Sequence, residues 1–228
     1  MTRFTFKGDV TWGSGANPRS VAIMTENEAG FDAYMGMATD AVSDSRKLLR
    51  GALSALGGKP SKDVVRYAHR YFLTGADRLD RTDLATIKSI ITLTKVGIHG
   101  STMAMKVART DPVYNGKVVG RTNRTSTQDY HNNVTDLDDG ITYRKGAIQV
   151  TGERLEQGRL GVKTLVHEAT HKYAGTEDYC YFQDDGVTPR SAFTSKERAL
   201  RNADSYAWFV LKVGRGWGIT TSNWMFAD

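Results

Sequence analysis

Residues 165–181 read Leu165-Val166-His167-Glu168-Ala169-Thr170-His171-Lys172-Tyr173-Ala174-Gly175-Thr176-Glu177-Asp178-Tyr179-Cys180-Tyr181, and this stretch decides the fold. His167 and His171 are four residues apart, so on a helix they share one face about one turn apart. Both imidazoles can then reach one Zn2+ at roughly 2.0–2.1 Å. Glu168 follows the first histidine and falls on the flank of that metal, where it can take a proton from a bound water. Gly175 is placed to cap such a helix and turn the chain.

A hydrolytic zinc site needs three protein ligands and an open position. A third histidine six residues beyond the second, with a glycine between, would be one source; those positions hold Glu177 and Ala174. Glu197, on a helix further along, is another. Asp178, just past the glycine turn, is a third, because a chain reversing at Gly175 can bring it back under the two histidines. Tyr181 would then sit near the open position, where a phenol can hydrogen-bond the oxyanion formed when hydroxide attacks a carbonyl.

Outward from this stretch the chain reads as α-rich. Phe4, Phe6, Val10 and Trp12 sit near alternation before Gly13-Ser14-Gly15-Ala16-Asn17-Pro18 breaks it, so residues 1–28 are expected to form an N-terminal arm or hairpin. From Ala29 apolar residues recur at three- and four-residue steps as far as Leu56, and Gly57-Gly58 stop the helix. A second helix is expected over 62–73. A third, opened by Thr82-Asp83, carries Leu84, Ile87, Ile90, Ile91 and Leu93. Residues 109–140 are rich in Asn, Asp, Thr and Gly and predict loops with short strands, one of them Gly116–Gly120. Ile141–Tyr143 and Ala147–Val150 are further strand candidates. The zinc-binding helix is placed at about 159–173, and a last helix over Lys196–Val213. The expected fold is α+β, mainly α-helical, with a small β-sheet, as one domain over 29–228.

Bulk composition excludes several classes. The chain of 228 residues is long enough for one domain with a true core. It has no apolar run near 18 residues, so no transmembrane helix is expected. Its start lacks the apolar core of a cleaved secretory signal. Cys180 is the only cysteine, which rules out an intrachain disulfide. A net charge of +6 is mildly basic, and Arg121-Thr122-Asn123-Arg124 is too short a cluster to argue for nucleic acid. No nucleic-acid or membrane partner is expected, and the protein is expected to be a monomer. Trp208, Trp217 and Trp224 are expected as core or C-terminal docking groups.

The two blocks His167–His171 and Gly175–Tyr181 together resemble the deuterolysin, or aspzincin, family of zinc endopeptidases. The family's pattern is HExxH, a few residues, then GTxDxxY, matched here by His167, Glu168, His171, Gly175, Thr176, Asp178 and Tyr181. Asn202-Ala203-Asp204-Ser205-Tyr206 is similar to the NADxY segment on the family's final helix. The resemblance implies a zincin-like metalloprotease domain that takes protein or peptide substrates and holds one Zn2+ on His167, His171 and Asp178. It further implies Glu168 and Tyr181 as catalytic residues. Asp204 would bind a substrate lysine just after the scissile bond. The glutamate that often accompanies that aspartate is replaced by Ala207, so strict lysine selection is not implied. Secreted fungal members carry disulfides and this chain cannot, which suggests an exported toxin or effector leaving by a signal-less route rather than a cytoplasmic enzyme. Two alternatives remain: a zinc hydrolase with Glu197 as third ligand, and a non-catalytic, zinc-stabilised binding domain.

Overall fold

The helical spacing of the first half is realised in the computed structural model as α1 (Phe31–Ala55), α2 (Lys62–Phe72) and α3 (Arg81–His99). The model describes residues 5–12, 19–25, 31–99, 103–109, 119–122, 135–138, 141–144 and 147–214. Ser61 caps α2 by accepting from the Val64 amide at 3.3 Å, and Leu73 ends it in the left-handed conformation (φ 54°). The expected strand at Gly116–Gly120 falls mostly outside the described residues, as do Trp217 and Trp224.

The strands are β1 (Thr5–Trp12), β2 (Arg19–Thr25), β3 (Ala104–Ala108), β4 (Gly120–Arg121), β5 (Thr135–Asp138), β6 (Ile141–Arg144) and β7 (Ile148–Thr151). Five of them form one sheet in the order β1-β2-β3-β7-β4, and β5 and β6 pair with each other. β2, β3 and β7 run parallel; β1 and β4 are antiparallel to their neighbours. β1 and β2 form a hairpin whose second strand continues the sheet. All four residues of β7 are buried, as expected of a strand covered on both faces.

Thr151 ends β7 and caps the short α4 (Gly152–Glu156), accepting from the Arg154 amide at 3.3 Å. Next comes α5 (Arg159–Ala174), the expected metal helix. Every residue from Gly161 to Tyr173 is buried, because α5 is enclosed by α1, α3, β7 and the last helix. A helix buried all round has no polar stripe, and that is why its polar side chains must find partners inside the protein.

The single helix expected over Lys196–Val213 is two: α6 (Lys196–Ala199) and α7 (Ala203–Gly214). The break has a physical cause. The backbone of Glu177 bonds on both sides of Asn202, accepting from the Ala203 amide at 2.9 Å and donating to the Arg201 carbonyl at 2.8 Å. Those groups cannot also serve a continuous helix. α7 is then buried along its length, with Trp208, Tyr206 and Phe209 fully inside.

Candidate metal centre

On α5 the four-residue spacing does what helix geometry requires. The His167 and His171 rings stand 4.8 Å apart, with Nε2 to Nε2 at 3.1 Å. Gly175 ends the helix in the left-handed region (φ 64°), its amide reaching the His171 carbonyl at 3.2 Å. The Thr176 amide reaches back to Thr170 at 3.4 Å. This turn carries Asp178 under the two rings. Its Oδ1 lies 3.2 Å from His167 Nε2 and 3.1 Å from His171 Nε2.

The outer nitrogens fix the chemistry of the inner ones. His167 Nδ1 faces the Asp204 carboxylate at 3.0 Å, and His171 Nδ1 faces the Thr176 carbonyl at 2.8 Å. Those oxygens only accept, so each Nδ1 carries the proton and each neutral ring turns a bare Nε2 lone pair inward. With both rings neutral, two lone pairs and a carboxylate oxygen converge on one point, which a metal cation satisfies and which, without a metal, a proton on His167 fills. A tetrahedral ion with bonds of roughly 2.0–2.1 Å spaces its ligands roughly 3.3 Å apart. The three observed edges, 3.1, 3.1 and 3.2 Å, fit it. Among the described residues, His167, His171 and Asp178 are the one group of this kind. Glu197 is exposed on α6 and takes no part, so the alternative with Glu197 as third ligand is set aside.

The surrounding field is strong in the metal-free state. Burial works against charging His167, but its hydrogen bonds to Asp178 and Asp204 prevail and raise it to about 9. Burial likewise opposes an ionised Asp178, yet the two histidines hold its carboxyl well below the ordinary range. Glu168, one residue past His167, is 6% exposed. Burial raises its carboxyl, against the pull of the two histidines, which suits a group that must accept and release a proton. Tyr181 stacks on the His167 ring at 5.7 Å. Its hydroxyl is pushed up first by partial burial and then by Asp178, to which it hydrogen-bonds, so it stays protonated and able to donate.

Three supporting residues were given no role by the sequence, although Asn202 opens the segment similar to NADxY. Asn202 uses its whole amide: Oδ1 accepts from the Tyr179 and Cys180 amides at 2.9 and 3.0 Å, and Nδ2 donates to the Cys180 carbonyl and Ser205 Oγ at 2.9 and 3.0 Å. It thereby pins the segment between Asp178 and Tyr181. Lys163 lies four residues before His167 on the same face and forms an ion pair with Asp204. Gly120 of β4 lies against the helix, where a Cβ would stand 2.3 Å from Thr164 Cγ2 and 3.2 Å from Glu168 Oε1.

Asp204, expected at the substrate, lies elsewhere. It is fully buried. One oxygen serves Lys163 and His167, and the other accepts from the Phe182 amide at 2.8 Å. It orients the His167 ring.

Two imidazoles and one carboxylate are a donor set that suits a single zinc ion. The family model described as lysine-specific metallo-endopeptidase, that of the aspzincins, matches residues 140–211, the part of the chain that carries α5 and most of α7. Among solved structures, a zinc peptidase from Grifola frondosa is similar in fold, with a TM-score of 0.53 at 16% identity, covering 80% of this chain and 95% of that one. No curated protein sequence matches.

Proposed function

We propose that the protein hydrolyses internal peptide bonds of protein or peptide substrates at this centre, with His167, His171 and Asp178 as the zinc ligands. The observation that carries the reading is the convergence of two inward lone pairs and one carboxylate oxygen within 3.2 Å of one another. Bound zinc supplies Lewis acidity, lowering the pKa of a coordinated water and polarising a carbonyl. Glu168 takes the proton of the attacking water and later returns it to the leaving amine. Tyr181, held protonated over the His167 ring, donates to the oxygen that gains charge. Asp204 and the Thr176 carbonyl keep the two rings turned inward. A cavity lined by Glu168, Tyr181 and Gly120 of β4 lies beside these residues and has room for substrate. A preference for lysine resting on Asp204 is not part of this reading, because that carboxylate is already paired inside the protein.

The test compares wild type with Glu168→Gln on a denatured protein mixture, with zinc content and cleavage sites measured together. The expected result is one zinc per chain in both and a loss of turnover of roughly 10²–10⁴-fold in the variant. Undiminished cleavage by Glu168→Gln would sink the mechanism.

A further inference from the structure

A cavity of about 540 Å³ opens beside the metal centre, with Gly120, Lys163, Glu168, Tyr181, Asp184 and Arg190 among its walls. Its one carboxylate besides the proposed base, Asp184, is occupied. Lys163 pairs with Asp204 behind the wall. Arg154, also on the wall, grips Asp184 with two bonds, Nη2 to Oδ1 at 2.9 Å and Nη1 to Oδ2 at 3.3 Å. Arg154 is itself anchored by Thr164 Oγ1 at 3.3 Å and Gln157 Oε1 at 2.6 Å. Three cations, Lys163, Arg154 and Arg190, thus meet two paired acids, and Arg190 is the exposed one at the surface. Arg154 foremost, with Lys163 and Arg190 adding to it, holds the Asp184 carboxyl below its usual range.

The family description that matches this chain names lysine, and a lysine-selecting pocket has to offer an unpaired acid. Here the chain's own Lys163 ammonium stands against the one buried acid of α7, and Ala207, a turn after Asp204, offers no second one. A substrate lysine entering this cavity would meet three cations and no unpaired acid apart from the proposed base. A substrate carboxylate would meet the remaining N–H groups of Lys163 and the guanidinium of Arg190. Like-charge contact in a partly desolvated site is strongly disfavoured, and opposite charge sets selectivity.

We infer that this cavity is a specificity pocket of inverted sign, which accepts an acidic side chain of the substrate next to the scissile bond and rejects lysine, with Lys163 as the residue that inverts it. The inference rests on the proposed peptidase reading for its place in the reaction, but the charge preference is a property of the pocket alone. Lys163 acts by occupying Asp204, and Arg190 by facing the ligand.

The experiment uses Glu168→Gln protein, zinc-loaded and zinc-free, and three fluorescent peptide pools identical except for one fixed Glu, Gln or Lys. Anisotropy titration should give binding of the Glu pool about tenfold or more tighter than the Lys pool, in both metal states. Lys163→Met, made in the same background, should erase that preference by leaving the buried Asp204 charge unbalanced behind the wall, whereas Lys163→Arg should keep it. Arg190→Ala, an exposed change that leaves the buried pair intact, should cut the Glu-over-Lys ratio several-fold. In parallel, cut sites of the wild-type enzyme should be enriched in Asp and Glu and depleted of Lys at one flanking position. Equal or tighter binding of the Lys pool overturns the inference whether or not cleavage occurs. Wild-type cleavage without any acidic preference overturns it while leaving the peptidase standing. Absence of all cleavage would count against the peptidase alone, since the binding ratio still decides the pocket.

Discussion

Asp178 closes the metal triangle from a turn rather than from the helix, so its loss is the sharpest single-residue test of the centre. Asp178→Ala leaves two imidazoles and no negative charge among the donors, and zinc affinity should fall by more than about 100-fold. A change behind the ligands typically costs about 10–100-fold, and Asp204→Asn, which removes the charge behind His167, should fall in that lower range. Competition titration with a chelating dye would rank the two, and an Asp204→Asn loss larger than that of Asp178→Ala would reverse their roles. Tyr181→Phe keeps the ring that stacks on His167 and deletes only the donor. Its kcat should drop by on the order of 10² with KM little changed, the mark of a contact made in the transition state. These residues are also where the sequence is most legible. The spacing of His167 and His171 is dictated by helix pitch, so it can be read without a structure. Asp178 could be chosen over Glu197 only through the family resemblance, because a turn's path is not encoded in spacing. Lys163 was unreadable, since a lysine one turn before a ligand looks like any solvated helix charge until its partner on α7 is known.

The elements hold these residues through close backbone approach. Gly97 on α3 faces Tyr173 on α5, and a Cβ there would stand 2.1 Å from the Tyr173 ring. Gly97→Ala should therefore force the two helices apart and cost about 1–3 kcal/mol of stability, the range for overpacked cores. Thermal melts would check it, and adding Tyr173→Leu should recover part of the loss if ring contact is the cause. Asn202 works at the same scale, because its four hydrogen bonds join the start of α7 to the segment that carries Asp178. Asn202→Ala leaves the buried Cys180 amide and carbonyl and the half-buried Tyr179 amide without their partner and should cost about 2–3 kcal/mol. The long apolar spacings of α1, α2 and α3 were legible because each amphipathic face must repeat at helix pitch. The break before α7 was not, because Arg201 and Asn202 are ordinary helix residues and only the distant backbone of Glu177 makes a break favourable. The pairing order of the sheet was equally hidden, being set by contacts between strands far apart in sequence.

At the scale of the molecule, zinc should act as a staple between α5 and the turn that bears Asp178. A ligand that binds only the folded state stabilises it by RT ln(1 + [L]/Kd), about 4 kcal/mol at a thousandfold excess over Kd. Chelation should then lower Tm in wild type and in Glu168→Gln alike, and barely move it in Asp178→Ala. The metal-free protein isolates a second, pH-dependent contribution, from His99 at the end of α3. Burial first, then the charges of Arg46, Arg50 and Lys95, depress this histidine to about 4 from 6.5. The folded protein thus keeps His99 neutral where the unfolded chain would protonate it. Its stabilising share is complete above pH 6.5 and is lost as pH falls from 6.5 toward 4. Because the ring is partly exposed, solvent screening reduces the share to about 1–2 kcal/mol. His167 works in the opposite sense and in another window, since its raised value favours the metal-free fold below pH 6.5 and loses that effect as pH climbs through about 9. The buried Glu168 adds its own slope in the acid range, so the informative quantity is the difference between two curves. Chemical denaturation of chelated wild type and His99→Gln, followed from pH 4 to 8, should give curves that run parallel above pH 6.5 and converge below it. Parallel curves across the whole range would mean that His99 titrates normally and that its burial carries no pH dependence.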